Sequence, residues 1–366
     1  MKGRGQGSLF PVVLDALVSV DHMCRVIDAF VARLALSELG FEGARAAEKG
    51  RPGYDPRDLL KLYLYGNAGA TLLADGDTLL LCRVEDRRGL SHLCTARSAN
   101  GIDGWRIDPQ PTLMPNPKKY PEELWGIEDP RITYVPELEQ YAIAYTSFSK
   151  GGPGVSLALT KDFRSFERYG VIMPPEDKDA ALLPRRIGGY WSMIHRPVTT
   201  LGAHMWTSYS PDLRHWGSHK VMLEARRGGW WDANKIGLCS PPIETDKGWL
   251  VIYHGVRQTA SGSIYRLGLA LFDLNRPDIC VQRGDSWMFG PEAPYDRGGD
   301  VSDVVFPCGQ TIGADGDTIH LYYGAADSCM AMATGSVRRL LSWLEKNSSP
   351  KDRESLSPQA LNAEED

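Results

Sequence analysis

The chain has 366 residues, 42% of them hydrophobic and 24% charged, and a formal net charge of −5. This suits a soluble globular protein of one large or two modest domains, and it excludes a surface that is basic overall while leaving room for a local basic patch. Seven widely spaced cysteines without a C-x-x-C pair suit reduced, mostly buried thiols in a cytosol better than a disulfide framework or a zinc site.

The opening "MKGRGQGSLFPVVLDALVSV" imitates a signal peptide only loosely. Pro11 and Asp15 interrupt its apolar run, and no small-residue cleavage site follows. No apolar run is long enough to span a bilayer, so a cytoplasmic location away from membranes is expected. Residues 14–66 read as helix. "DHMCRVIDAFVARLALSEL" spaces Val26, Ile27, Phe30, Val31, Leu34 and Leu36 helically, and "DPRDLLKLYLYG" offers Asp55 as N-cap, Pro56 at the first helical position and Gly66 as a stop.

After residue 66 the texture changes to short β runs, among them "DTLLLCRVED", "QYAIAYTSF", "VSLALT", "HMWTSYS", "WLVIYHGV" and "TIHLYYGAAD". Runs this short and frequent predict a sandwich, barrel or propeller. "LALTKDFRSFERYG" (157–170) resembles "WTSYSPDLRHWGSH" (206–219), and "CTARSANGIDGWRID" and "LALFDLNRPDICVQ" are looser copies. Recurrence at about 50–60 residues favours the propeller, a ring of repeated sheets, although β-hairpins resemble one another anyway. After Ser336, "VRRLLSWLEK" predicts a short amphipathic helix, and the polar remainder predicts a disordered tail.

Candidate chemistry centres on "LWGIEDPRITYV" (124–135). Pro130 disfavours the α region for Asp129, so the turn is expected to be extended, with Glu128 and Asp129 on opposite sides. Arg83 and Glu85 share a strand face. His195 and Arg196 end a strand, Lys235 lies among small and apolar residues, His254 closes "WLVIYH", and Asp303 precedes an apolar run. Each also has a structural explanation as surface cation, buried histidine or capping acid. Cations recurring at strand ends can converge on a propeller's channel, where they suit phosphate or another anionic oxygen. His195, His204, His215 and His219 lack metal-ligand spacing, so no metal is expected. Trp125, Tyr190, Trp191, Trp230 and Trp231 flank these segments as sugar platforms or as core.

In this order, "NAGA", "CRVEDRRGLSHL", "GIEDPRIT", "DKDAALLPRRIGGYWSMIHRP", "NKIGLCSPPIETDKGWLVIYHGV" and "DVVFPCG" resemble glycoside hydrolase family 130 over residues 67–335. The resemblance implies an all-β, five-bladed β-propeller. It also implies an inverting phosphorolysis of β-1,4-mannosides that releases α-mannose 1-phosphate, with β-mannoside and inorganic phosphate as partners and no cofactor. Asp129 inherits the role of general acid. Arg83, Lys178, Arg196, Lys235 and His254 match phosphate-site positions, and Asn67, Glu128, Arg131, His195 and Asp303 match or flank substrate positions. Asp179 beside phosphate would be repulsive unless Lys178 pairs with it, which leaves room for a hydrolase of the same fold.

Residues 1–66 instead resemble the N-terminal part of insertion-sequence transposases with a DDE-type core. The chain therefore divides into 1–66, 67–335 and a helix with tail over 336–366, and the first blade is expected to be incomplete. A damaged fusion that at most binds sugar is a further reading. A DNA-binding remnant is disfavoured by the charge, so no nucleic-acid partner is expected. Oligomeric state and acceptor sugar are not legible.

Overall fold

The computed structural model describes residues 67–86, 88–260, 262–299 and 301–348, all within the unit Leu64–Asp366. The helical reading of 14–66, its transposase resemblance and the expected disordered tail lie outside the described residues. Those residues form an all-β protein with few helices.

Five antiparallel meanders follow one another in the chain. The first runs through β1 (Ala68–Leu72), β2 (Thr78–Glu85), β3 (Ser91–Ser98) and β4 (Arg106–Ile107). The second runs through β5 (Ile127–Val135), β6 (Gln140–Ser149), β7 (Gly152–Thr160) and β8 (Glu167–Met173). In the third, β9 (Asp177–Leu182) pairs with β10 (Trp191–Thr199), followed outward by β12 (Met205–Ser210) and β13 (Gly217–Leu223). Short β11 (Gly202–Ala203) bridges β10 to β14 (Lys235–Leu238) of the fourth, which continues through β16 (Gly248–Thr259), β17 (Gly262–Phe272) and β18 (Cys280–Arg283), with β15 (Ile243–Thr245) beside β16. The last has three strands, β19 (Val305–Ile312), β20 (Thr318–Ala325) and β21 (Cys329–Ser336). Among the described residues the first sheet has four strands and the last has three.

The cores lie between neighbouring sheets. Leu79, Leu81 and Leu93 meet Ile127, Ile143 and Tyr145, while Ala142, Leu157 and Leu159 meet Leu182, Trp191 and Met193. Ile194 and Met205 meet Ile236, Val251 and Phe272, and Ala68, Ala70 and Leu80 meet Tyr322 of the last sheet. Central strands such as "YAIAY" are therefore buried on both faces and read as continuous apolar runs. The opening strands pack side by side, β1 against β5 and β19, β5 against β9, and β9 against β14.

The recurring phrase occupies equivalent places, joining the third strand to the fourth in successive sheets. Asp162 Oδ1 accepts from the amides of Arg164 and Ser165, and Asp212 Oδ1 accepts from those of Arg214 and His215. The residue after each aspartate has positive φ, 56° at Phe163 and 67° at Leu213. A short carboxylate that satisfies two amides is what makes this tight turn repeatable. The predicted C-terminal helix is α2 (Val337–Lys346), and a short helix α1 (Pro294–Arg297) precedes β19. Ser336 caps α2 by accepting from the Arg339 amide, and Val337, Leu341 and Leu344 form its buried face. That face belongs to the same body as the sheets, since α2 packs on β17, β18 and β21.

Candidate active site

The opening strands β5 and β9 each carry a bulge. Between Glu128 and Arg131 the register of β5 shifts against β6, and Asp129 takes φ of 51°. Asp129 is therefore not extended, as its place before Pro130 predicts. A bulge needs no ladder bond from the missing proline N–H, and aspartate tolerates the left-handed region better than most residues. The bulge also presses Pro130 against β1, where a Cβ on Gly69 would sit 2.7 Å from the Pro130 carbonyl oxygen. β10 shifts register against β9 between Ile194 and Arg196, and Asp179 opposite the shift has φ of 56°. Both bulges turn a carboxylate toward the junction of the opening strands.

Asp129 is 3% exposed. Its Oδ1 accepts from Asn67 Nδ2 at 2.9 Å, and its Oδ2 lies 3.2 Å from Lys178 Nζ. Burial alone would raise its pKa. The charges of Lys178 and Arg83, the Asn67 bond and the Arg131 charge outweigh burial and hold the carboxyl below the ordinary range. Glu128 moves the other way. Burial and then Asp129 raise it, against Lys178 and Arg83, whose Nη1 is 3.2 Å from Glu128 Oε2. Lys178 is raised despite burial because Asp129, Asp179 and Glu128 surround it.

Asp179 is neutralised differently from the sequence expectation. Arg196 donates Nε and Nη2 to its Oδ2 at 3.1 and 2.9 Å, and Arg131 Nη2 reaches its Oδ1 at 3.3 Å. Burial is overcome by the permanent charges of Arg196, Arg131 and Lys178, which hold Asp179 well below the usual carboxylate range. Its partners are thus chiefly arginines, and Lys178 is left to pair with Asp129. His254 Nε2 lies 3.7 Å from Asp179 Oδ2. Burial, opposed by Asp179 but reinforced by Arg196, Lys235 and Arg131, pushes His254 down to about 3. At neutral pH it is therefore a neutral donor and not one of the cations. Lys235 opens β14 with its Nζ 5.3 Å from the Tyr265 ring centroid and has no carboxylate partner among the described residues.

Two expected substrate ligands are fully engaged with protein. Arg131, 1% exposed, donates Nε to the Cys239 carbonyl at 2.5 Å and Nη2 to that of Leu238 at 2.7 Å, which staples β5 to the end of β14. His195 Nδ1 meets Asp177 Oδ2 at 2.5 Å and its Nε2 meets Ser208 Oγ at 2.7 Å. Burial made each take protein partners, with Arg131 Nη1 also donating to the Asp129 carbonyl at 3.2 Å. Asp303, with φ of 60°, is exposed and lines a separate cavity of about 1110 Å³ with Arg266, Trp287 and Arg297. No member of the Asp129 cluster lines that cavity. Among the flanking aromatics, Trp191 and Trp231 are core, whereas Trp125, Tyr190 and Trp230 are exposed.

Sequence reasoning leaves out Asp177 and Tyr265. Asp177 also accepts from the Arg196 amide at 3.1 Å, so it pins the β9 bulge. The Tyr265 ring lies 5.9 Å from that of His254, and nothing in "YRLGLALF" distinguishes it from a strand aromatic. "DKD" does carry a signal, since three consecutive charges at a strand start cannot all face water.

A family model described as β-1,4-mannooligosaccharide phosphorylase, Glyco_hydro_130, matches residues 83–346. A β-1,2-mannobiose phosphorylase from Listeria innocua is 37% identical over 258 residues, covering 70% of this chain and 69% of the relative. A β-1,4-mannooligosaccharide phosphorylase from Ruminococcus albus is 32% identical over 273 residues, covering 73% and 80%. The solved Listeria innocua β-1,2-mannobiose phosphorylase in complex with β-1,2-mannobiose superposes with a TM-score of 0.70 at 30% identity, over 77% of this chain and 92% of that one. A motif-dense match over most of the sheets, coincident with the buried carboxylate–cation cluster, has one reading: the chain belongs to glycoside hydrolase family 130, the mannoside phosphorylase family.

Proposed function

We propose that the protein catalyses inverting phosphorolysis of β-mannosides on a five-bladed β-propeller, releasing α-mannose 1-phosphate and an acceptor sugar. The blade reading is supported by five successive meanders with neighbouring opening strands. The observation that carries the chemistry is one buried carboxyl, Asp129, set among Lys178, Arg83 and Asn67, while Asp179 beside it is neutralised by arginines. An inverting hydrolase needs a second carboxylate free to activate water. Asp179 has no such freedom, and hydrogen phosphate needs no base because it is already an anionic nucleophile.

Phosphate oxygen bonds to the anomeric carbon as the glycosidic C–O bond breaks, and the leaving oxygen takes the proton of Asp129. The proton of the attacking hydrogen phosphate restores the acid. Unliganded Asp129 is held ionised, so it must be primed. A phosphate dianion beside Lys178, Arg196 and Lys235 draws the lysine away and adds negative charge, and both effects raise Asp129 toward protonation. His254 contributes a neutral hydrogen bond. No metal or organic cofactor is required. The family model and the Ruminococcus albus relative carry the β-1,4 linkage in their descriptions, whereas the Listeria innocua relative carries β-1,2, so both linkages are tested.

The test is incubation of the full chain with phosphate and either β-1,2- or β-1,4-mannobiose, followed for mannose 1-phosphate. Phosphate-dependent appearance of that product on either disaccharide supports the reading, and the active arm assigns the linkage. Free mannose released at the same rate without phosphate would replace it with a hydrolase.

A further inference from the structure

Above the fourth sheet lies a groove of about 460 Å³ lined by Arg227, Trp230, Arg257, Arg266 and Trp287, with Asp285 and Trp231 at its floor. Its volume is that of a small-molecule site. Trp230 and Trp287 are 44% and 38% exposed, unusual for the largest apolar side chain. Each is fixed by an arginine, Arg226 lying 4.5 Å from the Trp230 ring centroid and Arg266 4.7 Å from that of Trp287. Trp231 is buried and donates its indole N–H to the Asp285 carbonyl at 2.9 Å, anchoring the segment from below.

The charges are unbalanced. Asp285 already pairs with Arg226 at 2.9 Å. Among the described residues Arg227, Arg257 and Arg266 have no carboxylate partner, although the chain as a whole is acidic. Arg257 donates one Nη1 bond to the Gly229 carbonyl at 3.0 Å, which orients its guanidinium without neutralising it. Rigid indoles suit the apolar face of a pyranose, and guanidiniums with unused donors suit a carboxylate or phosphate on that ring. The groove shares Arg266 and Trp287 with the cavity that holds Asp303.

We infer that this groove binds an acidic sugar, a pyranose carrying a carboxylate or phosphate, as a unit of the glycan the enzyme handles. The sugar half of the inference rests on the phosphorylase reading, and the anionic half rests on the arginines. A neutral glycan would make no use of three unpaired cations.

The test uses the full chain and ligand-observed NMR at near-physiological salt, with glucuronate, mannose 6-phosphate and neutral mannose as probes. Inorganic phosphate is held at saturation to occupy the phosphate site. At least one acidic probe is expected to bind about tenfold more tightly than mannose, and Arg227→Gln/Arg257→Gln to lose about that factor. Lys235→Met should keep the preference. Trp287→Ala should weaken all three probes, with an unchanged melting temperature as control. The glucuronate and mannose 6-phosphate arms separate carboxylate from phosphate. Equal binding of all three probes overturns the inference. So does a preference lost in Lys235→Met and kept in the double arginine variant, which would move it to the phosphate site. None of these readouts needs turnover, so absent mannobiose phosphorolysis would sink the proposed function and leave this result standing.

Discussion

Asp129 and Asp179 show how one residue type takes two states within one cluster. Both are buried and both have positive φ. Asp179 is clamped by Arg196 and Arg131, whose guanidiniums cannot leave without stranding a buried charge. Asp129 is held by a lysine and an amide, partners that an incoming anion can displace. Asp129→Asn is therefore expected to lower turnover roughly 10²–10⁴-fold with the fold intact, read by mannose 1-phosphate release and the thermal melt. Lys178→Met removes the cation that keeps Asp129 ionised. In that variant the alkaline limb of the pH–rate profile should move to higher pH, because a higher pKa retains the proton longer; an unmoved limb would mean that another group is the acid. Two of the three proposed phosphate-site cations should also part company. Lys235→Ala should raise the KM for phosphate with little loss of stability. Arg196→Ala leaves a buried carboxylate short of a partner and should cost about 3–5 kcal/mol in denaturant unfolding.

At the scale of elements, strand β9 places three charges in succession and anchors the outer two. Asp177 is tied to His195 and the Arg196 amide, and Asp179 to two arginines, so Lys178 between them is aimed at Asp129. His195 continues through Ser208, whose Oγ lies 2.6 Å from the Nδ1 of exposed His219. An Asp–His–Ser line also suggests a hydrolytic triad, but Ser208 is fully buried and no substrate can reach it. The line is a brace for the bulge. His195→Phe should raise the KM for phosphate more than it lowers kcat, since it loosens Lys178 and Arg196 while the Asn67 bond still holds the acid in place. A kcat-only loss in steady-state kinetics would contradict that role.

For the whole molecule, the neutral buried His254 ties stability to pH. Its folded pKa of about 3 lies below the ordinary value near 6.5. Between these values the unfolded chain binds the extra proton, so stability is full above the upper value and falls as pH drops through the window. The urea midpoint of the wild type should decline from pH 7 to 4.5, and His254→Gln should flatten that decline. An identical slope in both proteins would place the acid sensitivity elsewhere, on carboxylates held below their ordinary range such as Asp129 and Asp179.

Much of this was legible in the sequence. Short apolar runs and a recurring aspartate turn depend on local alternation and on hydrogen bonds within a few residues, so they announce repeated sheets and α2 without tertiary information. The ordered motifs around Asp129 likewise marked the family. What only the tertiary structure decided is which charges pair. Asp129 meets Asn67 and Lys178 across 62 and 49 positions of chain, and Arg131 reaches a carbonyl 108 residues away. Such pairings depend on which opening strands become neighbours and on bulges that reverse the direction of a side chain, and neither leaves a periodic trace. Hence "DKD" could be read as charged while its division into brace, cation and clamped acid could not, and nothing in the sequence showed that His195 and Arg131 take buried partners from the protein itself.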